Sequence, residues 1–142
     1  MQTQTVGRLR AKQSRSSNFI ARIRISVTQF PVVKIELFIP DQFVETLRDE
    51  LNKINVGHIG NYDNCISITH VRGYWRPLVG ANPYDGEIGK ISEGTESKIE
   101  VNCKWENVEN ALRVIRNIHP YDEPLINIVP LLNHFFKQEK SA

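Results

Sequence analysis

The chain has 142 residues, the size of one domain, since domains most often run ~100–150 residues. It is 40% apolar, 8% aromatic and 24% charged, which excludes a disordered or fibrous chain. Its net charge of +2 conceals two unlike stretches, and these bound the partners further. Residues 1–33 carry six bases (Arg8, Arg10, Lys12, Arg15, Arg22, Arg24) and no acid. Residues 34–142 carry the other twelve bases against all sixteen acids, a balance of −4. The main body is thus mildly acidic and a poor match for nucleic acid. No apolar run approaches the ~20 residues of a membrane helix. Cys65 and Cys103 form no C-x-x-C pair and are too few for a disulfide framework. A cytoplasmic protein with reduced thiols is expected.

The first seventeen residues are rich in Gln, Thr, Ser and Arg and offer little apolar surface to offset the entropy of ordering them. Arg22 and Arg24 interrupt any secretory h-region, whereas the Arg/Ser-rich, acid-free composition is similar to an organelle transit peptide. The simpler reading is an upstream extension, residues 1–31, ahead of the folded domain, with a short added strand at Ile23 to Val27. A domain over residues 32–132 and a polar tail over 133–142 complete the division.

Within the domain, Val33, Ile35, Leu37 and Ile39 alternate with Lys34, Glu36 and Phe38, the period of a strand with one apolar face. Pro40-Asp41 punctuates the chain, and Asp41 is a candidate helix cap. Phe43, Leu47, Leu51 and Ile54 then place a stripe on a helix that Val56-Gly57 ends. Ile66 and Ile68 begin the next strand, with His70 continuing their face as a partly buried residue. Ile99, Val101, Cys103 and Trp105 mark a third strand. Val108, Leu112, Ile115 and Ile118 stripe a second helix, which His119-Pro120 stops. Ile126 and Ile128 form a last short strand. The order β-α-β, β-α-β predicts an α+β ferredoxin-like plait, two helices on one face of a four-stranded antiparallel sheet. Cys65 and Cys103 then fall on opposite faces and cannot bond.

The connection from Arg72 to Glu96 is too long for a simple hairpin turn. Seven of the eight glycines fall between residues 57 and 94. Arg72 to Leu78 and Glu87 to Ile91 predict a β-arm with Gly80 to Gly86 as its tip. Tyr74, Trp75, Pro83, Tyr84 and Glu87 are its candidate interface residues. Long glycine- and aromatic-rich connections form interfaces or bind ligands.

Three stretches carry a family resemblance: G-H-I-G-N-Y-D-N-C at 57–65, G-A-N-P-Y-D-G-E-I-G at 80–89 and H-P-Y-D-E-P at 119–124. In this order they resemble the domain inserted into YqfO-type members of the Ngg-interacting-factor family, and the stand-alone proteins built from it. The resemblance covers about residues 33–131. It implies a PII-like or CutA-like plait that assembles as a homotrimer. It places the dimetal site of full-length relatives in flanking domains outside the matched region, so that chemistry is not transferred. Some stand-alone bacterial relatives carry the label structural toxin protein of RtxA type. This sequence has none of the Gly/Asp-rich nonapeptide calcium repeats such a toxin requires.

Two clusters are candidates for chemistry. His58 lies near Tyr62, Asp63 and Cys65; His119 is followed by Tyr121, Asp122 and Glu123. Both follow a helix, and their convergence at one end of the sheet would give two histidines and several carboxylates suited to a divalent metal. Alternatively the histidines bond loop backbone and fix the turns. No G-x-S-x-G elbow, Walker loop or G-x-G-x-x-G fingerprint occurs. G-E-I-G-K at 86–90 lacks the Walker spacing. The sequence therefore points to a non-catalytic, PII/CutA-like trimer that binds a small ligand or divalent metal near the His58 and His119 loops. A purely structural module assembling through its arm is the alternative. A small metal-assisted hydrolase using His58, His119 and Glu123 is a third.

Overall fold

The computed structural model describes residues 30–136. The basic extension, the added strand at Ile23 to Val27 and most of the polar tail lie outside them. Strand β1 (Val32–Ile39) leads through a 3-10 turn (Asp41–Phe43) into helix α1 (Val44–Lys53). Strands β2 (Ile66–Trp75) and β3 (Ser92–Lys104) follow, then a second 3-10 turn, helix α2 (Val108–Ile118) and strand β4 (Ile126–Pro130). The sheet order is β2-β3-β1-β4 with every neighbouring pair antiparallel, which is the expected plait. Among the described residues no helix is long and apolar enough to cross a membrane.

The period of two in β1 works as expected. Val33, Ile35, Leu37 and Ile39 are fully buried beneath the helices, and the residues between them stay half-exposed. From β3, Ile99, Val101 and Cys103 add to the same layer. Leu47 and Leu51 of α1 and Ala111 and Ile115 of α2 close it from above. Burying each such Leu, Ile or Val side chain stabilises the fold by about 1.5–3 kcal/mol. The helix stripes are shifted slightly from the expected ones. Val44 is buried and Phe43 sits at the edge. In α2 the phase centres on Ala111 and Ile115, which leaves Leu112 half-buried. Trp105 does not continue the β3 face but opens the 3-10 turn, where it is partly exposed.

Asp41 does not cap its helix. No side chain caps either helix N-terminus, and the Asp41 carboxylate instead accepts the hydroxyl of fully buried Ser97 at 2.7 Å. A buried hydroxyl without a partner is costly, so this bond takes precedence over a cap that water can replace. At its other end, α1 releases the chain through Asn55 (φ +60°) and Gly57 (φ +79°). A Cβ on Gly57 would lie 3.1 Å from the Cys65 carbonyl oxygen. The Asn107 amide donates to the Ile54 carbonyl and ties the start of α2 to the end of α1.

The β2–β3 pair outgrows the sheet. β1 covers β3 only from Ser97 to Lys104, whereas β2 pairs with β3 as far as Trp75 and Ser92. Residues 71–75 and 92–96 thus form a two-stranded arm, but its second side is the start of β3 and not the predicted Glu87 to Ile91. Its paired sides are shorter than expected, because Arg76 to Ile91 leave the ladder. Both cysteines are free; Cys103 is buried and Cys65 half-buried.

Candidate functional site

The α2–β4 turn is built on His119. Pro120 cannot continue the helix, and His119 takes an extended backbone and is buried. Its Nε2–H donates to the Phe38 carbonyl at 2.6 Å, and its Nδ1 accepts the Tyr121 amide at 3.2 Å. These two bonds require the neutral imidazole with the proton on Nε2. Burial agrees: it pushes the His119 pKa below its ordinary value, outweighing the Phe38 carbonyl and the Glu96 charge. The Tyr121 ring lies 4.8 Å from the imidazole, inclined to it at 58°, and its hydroxyl donates to Glu96 at 3.0 Å. Burial first, and then Glu96, push the Tyr121 phenol far above its ordinary value, so it remains a donor.

The connection from Arg76 to Ile91 folds back onto this turn. The Asn82 amide donates to Asp122 at 2.8 Å. Tyr84 accepts the Gln42 amide at 3.1 Å and meets Phe43 edge-on, with ring centroids 6.4 Å apart. Trp75 donates its indole N–H to the Asp85 carbonyl at 3.0 Å. Gly94 lies beneath the Trp75 ring, where a Cβ would be 2.9 Å from the indole. Gly86 (φ +100°) lies against the same side chain, where a Cβ would be 2.8 Å from the indole nitrogen. The glycine-rich segment is therefore a cover held by a tryptophan, and only glycine allows both approaches.

Between the arm, this cover and the α2–β4 turn lies a cleft of about 420 Å³, within the ~300–1,000 Å³ range of small-molecule sites. Trp75, Pro83, Tyr84, Tyr121 and Glu123, all singled out in the sequence, line it, as does exposed Tyr74. Glu87 does not; it pairs with Lys90 at 2.6 Å. The sequence reading missed Phe38, Asp85 and Glu96. The period of β1 places Phe38 only opposite its apolar face, and the other two gain meaning only when the segment after the arm folds back.

The His58 cluster is elsewhere. The His58 Nε2 lies 3.0 Å from the Asn52 amide oxygen, which also receives the Asn64 amide. Asn64 and Asn52 hold the Asp63 carboxyl below its ordinary pKa, with a smaller effect from His58. Tyr62 is exposed and closes a tight turn with Ile59. The expected convergence of the two histidines fails within the chain. Gly57 bonds Asn102, opposite Lys34 at the start of β1, whereas His119 bonds Phe38 near its end. Four strand residues, about 13 Å, separate those anchors. The reason is topological. In this plait β4 begins beside the end of β1, so the loop after the second helix lies at the opposite end of the sheet from the loop after the first. The hydrolase that combines His58, His119 and Glu123 loses its geometry with it. Among the described residues no group of three or more His, Cys, Asp or Glu could hold a metal ion. The two outlying histidines are exposed. His70 sits 3.8 Å from Asp41 and is not partly buried, and His134 lies beside Phe135.

No protein-family model matches the chain. Its fold matches that of the PII-like protein CutA from Nostoc sp., with a TM-score of 0.56 at 14% identity over 75% of this chain and 86% of the other.

The chain has the CutA/PII-like fold.

This CutA-like domain also resembles parts of larger proteins. A GTP cyclohydrolase 1 type 2 homolog of Staphylococcus epidermidis is 31% identical over 98 residues, 69% of this chain and 27% of that protein. A Bacillus cereus protein related to NIF3 superposes with a TM-score of 0.63 at 26% identity, covering 72% of this chain and 26% of that one. The CutA-like domain is thus related to a segment of NIF3-related proteins and spans about a quarter of their length. These relatives are named as a GTP cyclohydrolase 1 type 2 homolog, a NIF3-related protein and a PII-like CutA, and none of the three as a structural toxin.

Proposed function

We propose that this chain is a non-catalytic binding module of a PII/CutA-like homotrimer, equivalent to the inserted domain of YqfO-type proteins, and that its small ligand enters the cleft under the arm. The observation that carries this reading is the cleft itself. Three aromatic side chains are each fixed by a hydrogen bond to the protein before any ligand arrives: Trp75 by Asp85, Tyr84 by Gln42 and Tyr121 by Glu96. Fixed walls spare a ligand the entropy of ordering them. The chemistry around the cleft favours binding over catalysis. Both His119 nitrogens are engaged with backbone, and the Tyr121 phenol is held protonated. A metal on His119 would have to displace one of those bonds, so a divalent ion is the less favoured ligand. The cyclohydrolase in the relatives' name refers to proteins of which this chain matches about a quarter, and that activity is not extended to it.

A structural role through the arm is the second reading. It rests on the outer edge of β2, which has no strand partner among the described residues and exposes Ile68 and Tyr74. Unpaired edges are templates for pairing with another chain.

Light scattering at micromolar protein tests the assembly, with three times the monomer mass expected and a monomer refuting it. Thermal melts against a panel of small organic ligands and divalent metals test the site. A ligand specific for the folded state raises the melting temperature, and Trp75→Ala removes the rise. A trimer that no compound stabilises would leave the structural reading in its place. Stabilisation by zinc alone, lost in His58→Ala, would restore the metal reading.

A further inference from the structure

The lining of the cleft selects against most metabolites by charge. Asp85, Glu96, Asp122 and Glu123 face it, and Arg72 is the one base among its lining residues. Arg72 is already engaged: its Nε lies 3.2 Å from Glu93, and its guanidinium sits 5.8 Å over the Tyr74 ring. Arg76 lines the adjoining hollow, which shares Trp75, Pro83, Asp122 and Glu123 with the cleft. His119, the nearest buried imidazole, is neutral and spends both nitrogens on backbone. A phosphate or carboxylate entering here would therefore meet four carboxylates and, in the cleft's own lining, a single base already paired with Glu93. Burying an unpaired charge in that field is strongly unfavourable.

The aromatic groups point the same way. Tyr84 and Tyr121 stand with centroids 5.9 Å apart and planes inclined at 41°. The Trp75 ring, held on Gly94, and Phe38 complete the apolar walls. The faces of such rings are negative and attract cations within about 6 Å of the centroid, most strongly when the cation is desolvated. The carboxylates are also partly committed. Asp122 receives the Asn82 and Glu123 amides, Asp85 receives the Gly86 amide, and Glu96 receives Tyr121 through one oxygen, Oε2. The Oε1 atom of Glu96 lies beside Gly73, 3.5 Å from where a Cβ there would stand. Gly73 and Glu96 both line the cleft.

Resting on the reading that this cleft binds a small ligand, we propose that the ligand is an organic cation. It would be a primary amine or guanidinium carried on a flat apolar body, with the body against Trp75, Tyr84 and Tyr121 and the charge against Glu96 and Glu123. The carboxylates of the lining do not form the compact three-donor group that an inorganic ion requires, so an amine that keeps its own covalent shell is the better match. The attraction is electrostatic, and salt weakens it where the site is open to water.

The test uses three isosteric probes: phenethylamine, 2-phenylethanol and phenylacetate. Each is titrated into the full chain at low salt and followed by the NMR shift of the Trp75 indole N–H and the Gly94 amide. Phenethylamine is expected to bind at least tenfold more tightly than 2-phenylethanol, with no saturable shift from phenylacetate. Glu96→Gln keeps an acceptor for the Tyr121 hydroxyl while removing the charge and should weaken phenethylamine at least fivefold. Glu123→Gln, at an exposed position, gives a second charge deletion that does not endanger the fold and should act in the same direction. Equal binding of the amine and the alcohol, unchanged by either substitution, overturns the cation proposal and leaves the cleft as a ligand site. Preferential binding of phenylacetate overturns it as well. No saturable shift from any probe at tens of millimolar overturns both the cation and the cleft.

Discussion

Replacing His119 with alanine separates its structural role from a ligand or metal role. The imidazole bridges the end of β1 and the turn after α2 through the Phe38 carbonyl and the Tyr121 amide. Truncation leaves both backbone groups without their partner at a position only 7% exposed. Each group left unsatisfied costs about 1–3 kcal/mol, less where water enters the new cavity. A total of about 2–4 kcal/mol is expected. For a domain of this size that lowers Tm by roughly 8–32 °C, at ~4–8 °C per kcal/mol. The pH dependence gives an independent reading. Burial lowers the His119 pKa in the folded protein, whereas in the unfolded chain it returns to about 6.5. The unfolded state therefore binds the proton first as pH falls. The stability due to neutral His119 is full above about pH 6.5 and is lost as pH falls through the folded-state value. The difference between wild type and His119→Ala, from urea denaturation followed by tryptophan fluorescence, should be largest at pH 7.5 and shrink toward pH 5. A difference below 0.5 kcal/mol on the scale of a typical surface substitution (about ±0.5 kcal/mol), or one that grows on acidification, refutes the buried neutral imidazole.

Further substitutions probe the arm and the core. Gly86→Ala forces a side chain into a left-handed backbone at about 1–2 kcal/mol and drives its Cβ against the Trp75 indole. The indole N–H should then exchange faster with solvent, and an unchanged exchange rate would show that Asp85 and Gly86 do not hold the cover. Leu51→Ala, at a fully buried site between the helices and the sheet, should cost about 2–5 kcal/mol in denaturant melts; a loss under 1 kcal/mol would contradict that packing, since a buried CH2 alone is worth about 0.8 kcal/mol. Burial pushes the Cys103 thiol up to about 11. Iodoacetamide at pH 8 should therefore leave Cys103 unlabelled until the chain is unfolded, as mass spectrometry after digestion would show.

The strands and helices were legible because their periodicities are local consequences of one buried face. In β1 every second residue meets the helices, and the sequence shows it directly. The arm was legible in outline from glycines and chain length, but not its paired length. Residues 71–75 and 92–96 bury little and carry no strong alternation. Exposed Ile68 shows the same limit. Its neighbour Ile66 packs against the core, yet β2 is an edge strand that runs out from under the helices.

The candidate site divides along the same line. Sequence alone determined the plait, the two unbonded cysteines, and the residue types gathered in the 80–89 and 119–124 segments. Those properties follow from contacts between neighbours in the chain or from the face on which a residue falls. Only the tertiary structure decided which segments meet. It parted His58 from His119, because consecutive helix-to-strand loops of this plait lie at opposite ends of β1. It brought Tyr84 to Tyr121 and Asn82 to Asp122 across some forty residues of sequence. Whether two loops share an end of the sheet depends on strand direction, which no local pattern of residues records.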